Sequence, residues 1–175
     1  MLSLDRLDQN QWLNDAIINV YIHILARRYK FCFLNSHLFH FKSPDRKAKY
    51  GDVLESDFVL MPIHKCLHWY LLVMYKFSDI GYTIQEDRII CFFNSLELPL
   101  RSYENIFTFW MQYFKNIGYR GEVHQRNVKI PQQSNNADCG VFHLTFADNI
   151  AQDRQKFFNV IENGTGLDWT IDAPK

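Results

Sequence analysis

The stretch PQQSNNADCGVF, Pro131 to Phe142, is a polar, turn-prone run that ends on a cysteine and passes straight into apolar residues. The chain has four cysteines, Cys32, Cys66, Cys91 and Cys139, with no CxxC pair and no zinc-finger spacing. Three of them sit among aromatic or aliphatic neighbours and read as buried thiols. Cys139, between Asp138 and Gly140, stands apart. If the apolar run after it is helical, Cys139 lies at a helix amino end, where free backbone N–H groups and the helix dipole favour a thiolate. Such a nucleophile needs an imidazole partner, and an oriented imidazole needs a third group on its other nitrogen. Among the seven histidines, His68 is singled out because it opens the run HWYLLVMY, with Trp69 beside it to cover a groove. Asn94, at the end of FFN, is placed to reach that imidazole from a neighbouring strand. Gln133, six residues before the cysteine, can donate its side-chain amide to a developing oxyanion, with the Cys139 backbone N–H as second donor. Taken singly, each has a plainer reading: a core histidine satisfied by backbone groups, or a turn asparagine before a serine.

The elements that must position these groups follow from apolar spacing. Asn14-Asp15 can cap a helix on which Ile17, Ile18, Tyr21, Ile24 and Leu25 recur at helical intervals, running to about Tyr29. A short aromatic run, 31–41, leads to KSPDRKAKYGD, whose Pro, Gly and charges mark an exposed loop. DFVLMPIH, LHWYLLVMYKF and RIICFFNSL are rich in branched and aromatic residues, the pattern of buried strands in one sheet. From Ser102 a helix is expected with Ile106, Phe109, Trp110, Tyr113, Phe114 and Ile117 inward, stopped by Gly118. A strand over 123–130 and a largely buried helix in VFHLTFADNIAQ complete the chain. Helix, three strands, helix, strand, helix makes the class α+β, with a mostly antiparallel or mixed central sheet flanked by helices.

Composition narrows the function classes. At 175 residues, 47% hydrophobic and 16% aromatic, the chain is long enough for one domain with a substantial core. Nineteen basic residues balance nineteen acidic ones, so net charge argues for neither nucleic acid nor a membrane surface as partner. The amino end MLSLDRLDQN lacks the pattern of a signal peptide, and no run approaches a membrane span. The expected location is therefore intracellular, nuclear or cytoplasmic. On a continuous strand His64, Cys66 and His68 would share a face, but Pro62 and the residues after it are expected to form a turn, and no fourth ligand is evident, so no metal is assigned.

Four blocks then carry a resemblance: WLNDAIINVY at 12–21, LMPIHKCLHWYLLV at 60–73, IICFFNSL at 89–96 and PQQSNNADCGVF at 131–142. In type and order they resemble the cysteine proteases that process ubiquitin-like modifiers, including desumoylating and deneddylating enzymes. The resemblance implies a papain-like, adenovirus-protease-like fold, with one catalytic domain over 1–175. It makes Cys139 the nucleophile, His68 the general base and acid, Asn94 the orienting third group and Gln133 the oxyanion donor. Trp12 and Trp69 match two tryptophans that close on a modifier's Gly-Gly tail, and Asp15 matches a residue that often contacts the modifier's folded body. The implied reaction is cleavage of a peptide or isopeptide bond after the Gly-Gly of SUMO, ubiquitin or a related modifier, with no cofactor. The family usually has Asp where this chain has Asn94. An amide oxygen can also accept from an imidazole N–H, and Cys-His-Asn is a working triad elsewhere. The segment between His68 and Asn94 is longer than usual, which implies an extended hairpin around 78–87. Two other readings stand beside this one: a non-catalytic binder of ubiquitin-like proteins, and an acetyltransferase on the same fold.

Overall fold

The computed structural model describes residues 12–40, 53, 56–75, 88–116, 118–119 and 121–163. Helix α1 (Asp15–Tyr29) is followed by strands β1 (Cys32–Phe33), β2 (Phe58–Lys65), β3 (His68–Tyr75) and β4 (Arg88–Phe93), then by helix α2 (Glu104–Asn116), strand β5 (Val123–Asn127), and helices α3 (Cys139–Gln152) and α4 (Arg154–Asn163). Short 3-10 turns lie at Ser36–His40 and Leu100–Tyr103. The strands form one sheet in the order β1-β2-β3-β4-β5. The β2–β3 and β3–β4 pairs are antiparallel, while β1–β2 and β4–β5 are parallel. The expected α+β class with a mixed, helix-flanked sheet is what forms.

The central strands are apolar on both faces, and that dictates three layers. Leu60, Trp69, Leu71, Val73, Cys91 and Phe93 point to one side, where they meet Ile18 and Ile22 of α1, Phe146 and Ile150 of α3, and Phe157 of α4. The alternate residues Val59, Met61, Leu72, Met74, Ile90 and Phe92 meet Trp110 and Phe114 of α2 on the other side. Each fully buried large side chain is worth about 1.5–3 kcal/mol of apolar transfer, so the sheet that carries the site is the most firmly held part of the molecule.

Local signals set the element ends. Asn14 Oδ1 accepts from the Ile17 N–H at 3.0 Å, capping α1, and Lys30 at φ 53° ends it. Gly118, at φ 90°, stands just beyond the end of α2. Asp153 caps α4 by accepting from the Lys156 N–H at 3.0 Å.

Several expectations are corrected, among them the burial of Cys66, which is exposed. Pro62 does not open a turn: β2 runs straight through it, with Pro62 opposite Leu71. Among the described residues strand β1 pairs with β2 only as far as Leu60, so beyond that point no described strand pairs with this edge of β2, where the missing proline N–H costs no ladder bond. The turn comes at Cys66-Leu67, so the first reason given against a His64–Cys66–His68 metal set does not hold, although Cys66 leaves the strand there. The aromatic run after α1 contains a two-residue strand and a 3-10 turn, and α4 was not foreseen. The strand near Val123 ends at Asn127 rather than at residue 130, and the second helix becomes α-helical at Glu104, after a 3-10 turn. Ile117, the expected loop at 42–52 and the expected hairpin at 78–87 lie outside the described residues.

Candidate active site

Helix α3 packs against β3 and α1, and Cys139 is its first residue. The loop before it is held by Asn135, whose Oδ1 accepts from the backbone N–H groups of Ala137 and Asp138, both at 2.9 Å, while its Nδ2 donates to Asp138 Oδ2 at 2.6 Å. Gly140 follows because nothing larger fits: a Cβ there would come within 2.8 Å of Leu13 Cβ. That close approach seats the Trp12-Leu13 segment on the amino end of the helix. The Leu13 carbonyl in turn accepts from the Trp69 indole N–H at 3.0 Å. One backbone segment therefore links Cys139, Trp12 and Trp69.

His68 begins β3, and Asn94 directly follows β4. The neighbouring strands bring His68 Nε2 to 2.6 Å from Asn94 Oδ1. With Nε2 committed to Asn94, Nδ1 is the nitrogen left for a thiol. Burial holds the His68 imidazole below the ordinary histidine range; the bond to Asn94 acts in the opposite sense, and nearby His64 lowers it further. Neutral His68 is thereby available as a base near neutrality.

Gln133 is tied to the residue after Asn94. Its backbone N–H donates to the Ser95 carbonyl at 2.9 Å, and its Oε1 accepts from Ser95 Oγ at 2.5 Å. Its Nε2 donates to the Asn135 carbonyl at 2.5 Å, and a primary amide carries a second N–H beyond that bond. Ser95 is buried, so this link joins the end of β4 to the loop before Cys139.

The remaining expected site residues line a groove of about 270 Å³ whose walls include Trp12, Asp15, His37, His64, Leu67 and Trp69. Trp12 is 38% exposed, whereas Trp69 is 5% exposed and offers only part of its ring. The Trp69 ring lies 4.6 Å from that of His64, tilted by 36°. Asp15 pairs with His37 of the 3-10 turn at 2.9 Å, both side chains about half exposed. The structure thus joins His68 directly to Asn94 and ties Gln133 to Ser95, the residue after Asn94. Trp12, Trp69 and Asp15 gather on one groove, and Cys139 stands at the head of a helix packed on the histidine-bearing strand.

Sequence reasoning missed Ser95, Tyr103, His37 and His143. The last had a legible signal: it lies four residues after Cys139, on the same face of a helix already expected to be buried. Its imidazole is 1% exposed, and burial pushes it down to about 3, an effect the Tyr70 backbone opposes and nearby His68 reinforces. Neither ring nitrogen makes a hydrogen bond of ordinary geometry among the described residues.

A mixed sheet flanked by helices, with a cysteine heading a helix that packs on a strand beginning with histidine, is an arrangement suited to a thiol protease. Residues 11–165 match the model of the Ulp1 protease family, C-terminal catalytic domain, and the chain belongs to that family. It is 28% identical over 170 residues to Sentrin-specific protease 2 of Mus musculus, a match covering 86% of this chain and 28% of that protein's length. Among solved structures, a de-sumoylating protease superposes with a TM-score of 0.73 at 17% identity, over 91% of this chain and 70% of the other. The Xanthomonas campestris effector XopD, solved bound to ubiquitin, gives 0.62 at 21% identity, over 92% and 85%. At these identities the structural likeness speaks for the fold.

Proposed function

We propose that the chain is a thiol protease that cuts the peptide or isopeptide bond after the C-terminal Gly-Gly of SUMO, ubiquitin or a related modifier. The observation that carries this reading is the 2.6 Å bond between His68 Nε2 and Asn94 Oδ1. It retains the orienting contact that an asparagine in the third position had put in question, and so weighs against a non-catalytic binder. In the proposed mechanism, Cys139 Sγ gives its proton to His68 Nδ1 and attacks the glycine carbonyl. The Cys139 backbone N–H and the Gln133 amide stabilise the oxyanion. His68 returns the proton to the leaving amine, and water, deprotonated by His68, hydrolyses the thioester. Trp12 and Trp69 hold the tail in the groove, where glycines pass and larger side chains clash. Asp15 contacts the modifier's folded body.

The names of the relatives support SUMO and ubiquitin as the modifiers to try first. The reading includes one catalytic domain over 1–175, no cofactor, and no nucleic-acid partner. It also includes an intracellular location, nuclear or cytoplasmic. Among the described residues no helix is long and apolar enough to cross a membrane.

The test uses SUMO and ubiquitin carrying an electrophile in place of the C-terminal carboxylate. Covalent capture of at least one, lost in Cys139→Ala, is expected, and a peptide map should place the adduct on Cys139. Capture by neither rejects SUMO and ubiquitin as the modifiers; capture by no member of a panel extended to related ubiquitin-like proteins, or capture that survives Cys139→Ala, rejects the assignment.

A further inference from the structure

We propose that Tyr103 is a positioning residue whose hydroxyl, by accepting from the Asn94 side-chain amide, lets a neutral asparagine orient His68. This rests on the triad reading above and concerns how it works in this chain.

An asparagine is a poorer orienting group than an aspartate for a geometric reason. Both carboxylate oxygens accept hydrogen bonds, whereas only one end of an amide does. The amide must therefore be held with its oxygen toward the imidazole. Here it has three contacts. Oδ1 accepts from His68 Nε2 at 2.6 Å and from the Leu96 backbone N–H at 2.9 Å, and Nδ2 donates to Tyr103 Oη at 2.8 Å. The Leu96 N–H fixes which end carries the oxygen, since an NH2 group there would face a donor. Tyr103 fixes the other end and satisfies a nitrogen that would otherwise be buried without a partner.

The tyrosine is itself firmly placed. It is 1% exposed, at the end of the 3-10 turn that leads into α2. Its ring stacks on Phe92 at 4.4 Å and 11°, and meets Tyr70 edge-on at 5.4 Å. Phe92 is two residues before Asn94, so the strand that presents the amide also seats the ring that holds it. Among the described residues the titratable groups near His68 include His64, Tyr70 and His143, beside the Cys139 thiol that the triad reading sets against it.

A phenol can either donate or accept, which makes a test with opposite signs possible. Beside Asn94 it accepts from Nδ2. In an Asn94→Asp variant it would instead donate to the carboxylate and draw charge away from the imidazole. Tyr103→Phe keeps the stacked ring and removes only the hydroxyl. In the parent enzyme it should lower kcat about tenfold and shift the acid limb of the rate profile, where His68 takes up its proton, down, because a loosened amide supports imidazolium less well. In the Asn94→Asp enzyme the same change should cost at most about threefold, with the acid limb unmoved or shifted up.

Equal losses in the two backgrounds would make Tyr103 merely structural, and no loss beside Asn94 would also overturn the proposal. A second measurement does not depend on turnover. In the Cys139→Ala protein, the NMR titration of the His68 imidazole should move down on adding Tyr103→Phe, and the proposal fails if it stays put. Failure of the triad reading has its own signature: normal turnover in His68→Ala, whatever Tyr103 does.

Discussion

Two histidines flank Trp69, and the molecule treats them in opposite ways. His68, at the open end of the sheet, is half-buried and hydrogen-bonded to Asn94, which is itself held by Leu96 and Tyr103. His143, on the buried face of α3, has its ring 6.1 Å from that of Trp69, and no ordinary hydrogen bond reaches its nitrogens among the described residues. Burial lowers both imidazoles; at His68 the side-chain bond to Asn94 opposes the shift, while His143, fully enclosed, is pushed down to about 3 despite the opposing Tyr70 backbone. A histidine becomes a base through what holds its second nitrogen, not through nearness to a cysteine.

The largest expected effect breaks the comparison most directly. His68→Ala should lower kcat/KM by about a thousandfold or more, since it removes the imidazole that Asn94 holds on the strand against which the cysteine-bearing helix packs. His143→Leu, of similar size and without buried nitrogens to leave unsatisfied, should keep turnover near that of the parent at about pH 7.5. Progress curves with a modifier bearing a fluorogenic C-terminal amide would decide. If the two losses were exchanged, His143 would be the base and the assignment of His68 wrong.

Stability should respond to pH through His143, to which the proposed mechanism gives no part. An unfolded imidazole takes up its proton near 6.5, whereas folded His143 does so only near 3. Between those values the unfolded chain binds more protons, so stability falls as pH falls, by up to about 1.4 kcal/mol for each pH unit crossed. Above about pH 7 the group is neutral in both states and contributes no slope. Urea unfolding at about pH 7.5, 6 and 5 should show that loss in the parent and a flatter profile in His143→Leu. Parallel slopes for the two proteins would mean that another group sets the acid limb.

The same contrast shows what could be read from the chain alone. The sheet was legible because β2, β3 and β4 are continuous apolar runs of branched and aromatic residues. The candidate site could be proposed where chemistry-bearing residues stand at element boundaries: Cys139 at a polar-to-apolar junction, His68 opening a strand and Asn94 just past one. Tyr103 and Ser95 were not, because their work depends on hydroxyl geometry across turns, and a tyrosine or serine between strand and helix has no spacing that marks it. Pro62 misled because its tolerance depends on β1 ending its pairing at Leu60, a tertiary fact. Helix α4 was missed although Asp153 caps it and Phe157 and Ile161 lie one turn apart, since the strongly apolar α3 beside it drew the reading.

The smallest effect concerns the turn that delivers His68. Lys65 pairs with His68, so Cys66 and Leu67 form a two-residue hairpin loop, at φ 53° and φ 60°. Positive φ at both positions matches the right-handed twist of the strands, but it is the left-handed region, which glycine enters freely and branched side chains do not. Cys66 is exposed and is not among the residues lining the groove, so Cys66→Gly relieves the backbone without removing a wall; Leu67→Gly would take one away. Glycine also raises the entropy of the unfolded chain, which offsets part of the gain. The net stabilisation should be about 0.5–1 kcal/mol by urea unfolding, with kcat unchanged. A more stable protein with lower kcat would show that the strained turn helps aim His68 at Cys139. A less stable one would mean that the Cys66 side chain contributes more than its backbone costs.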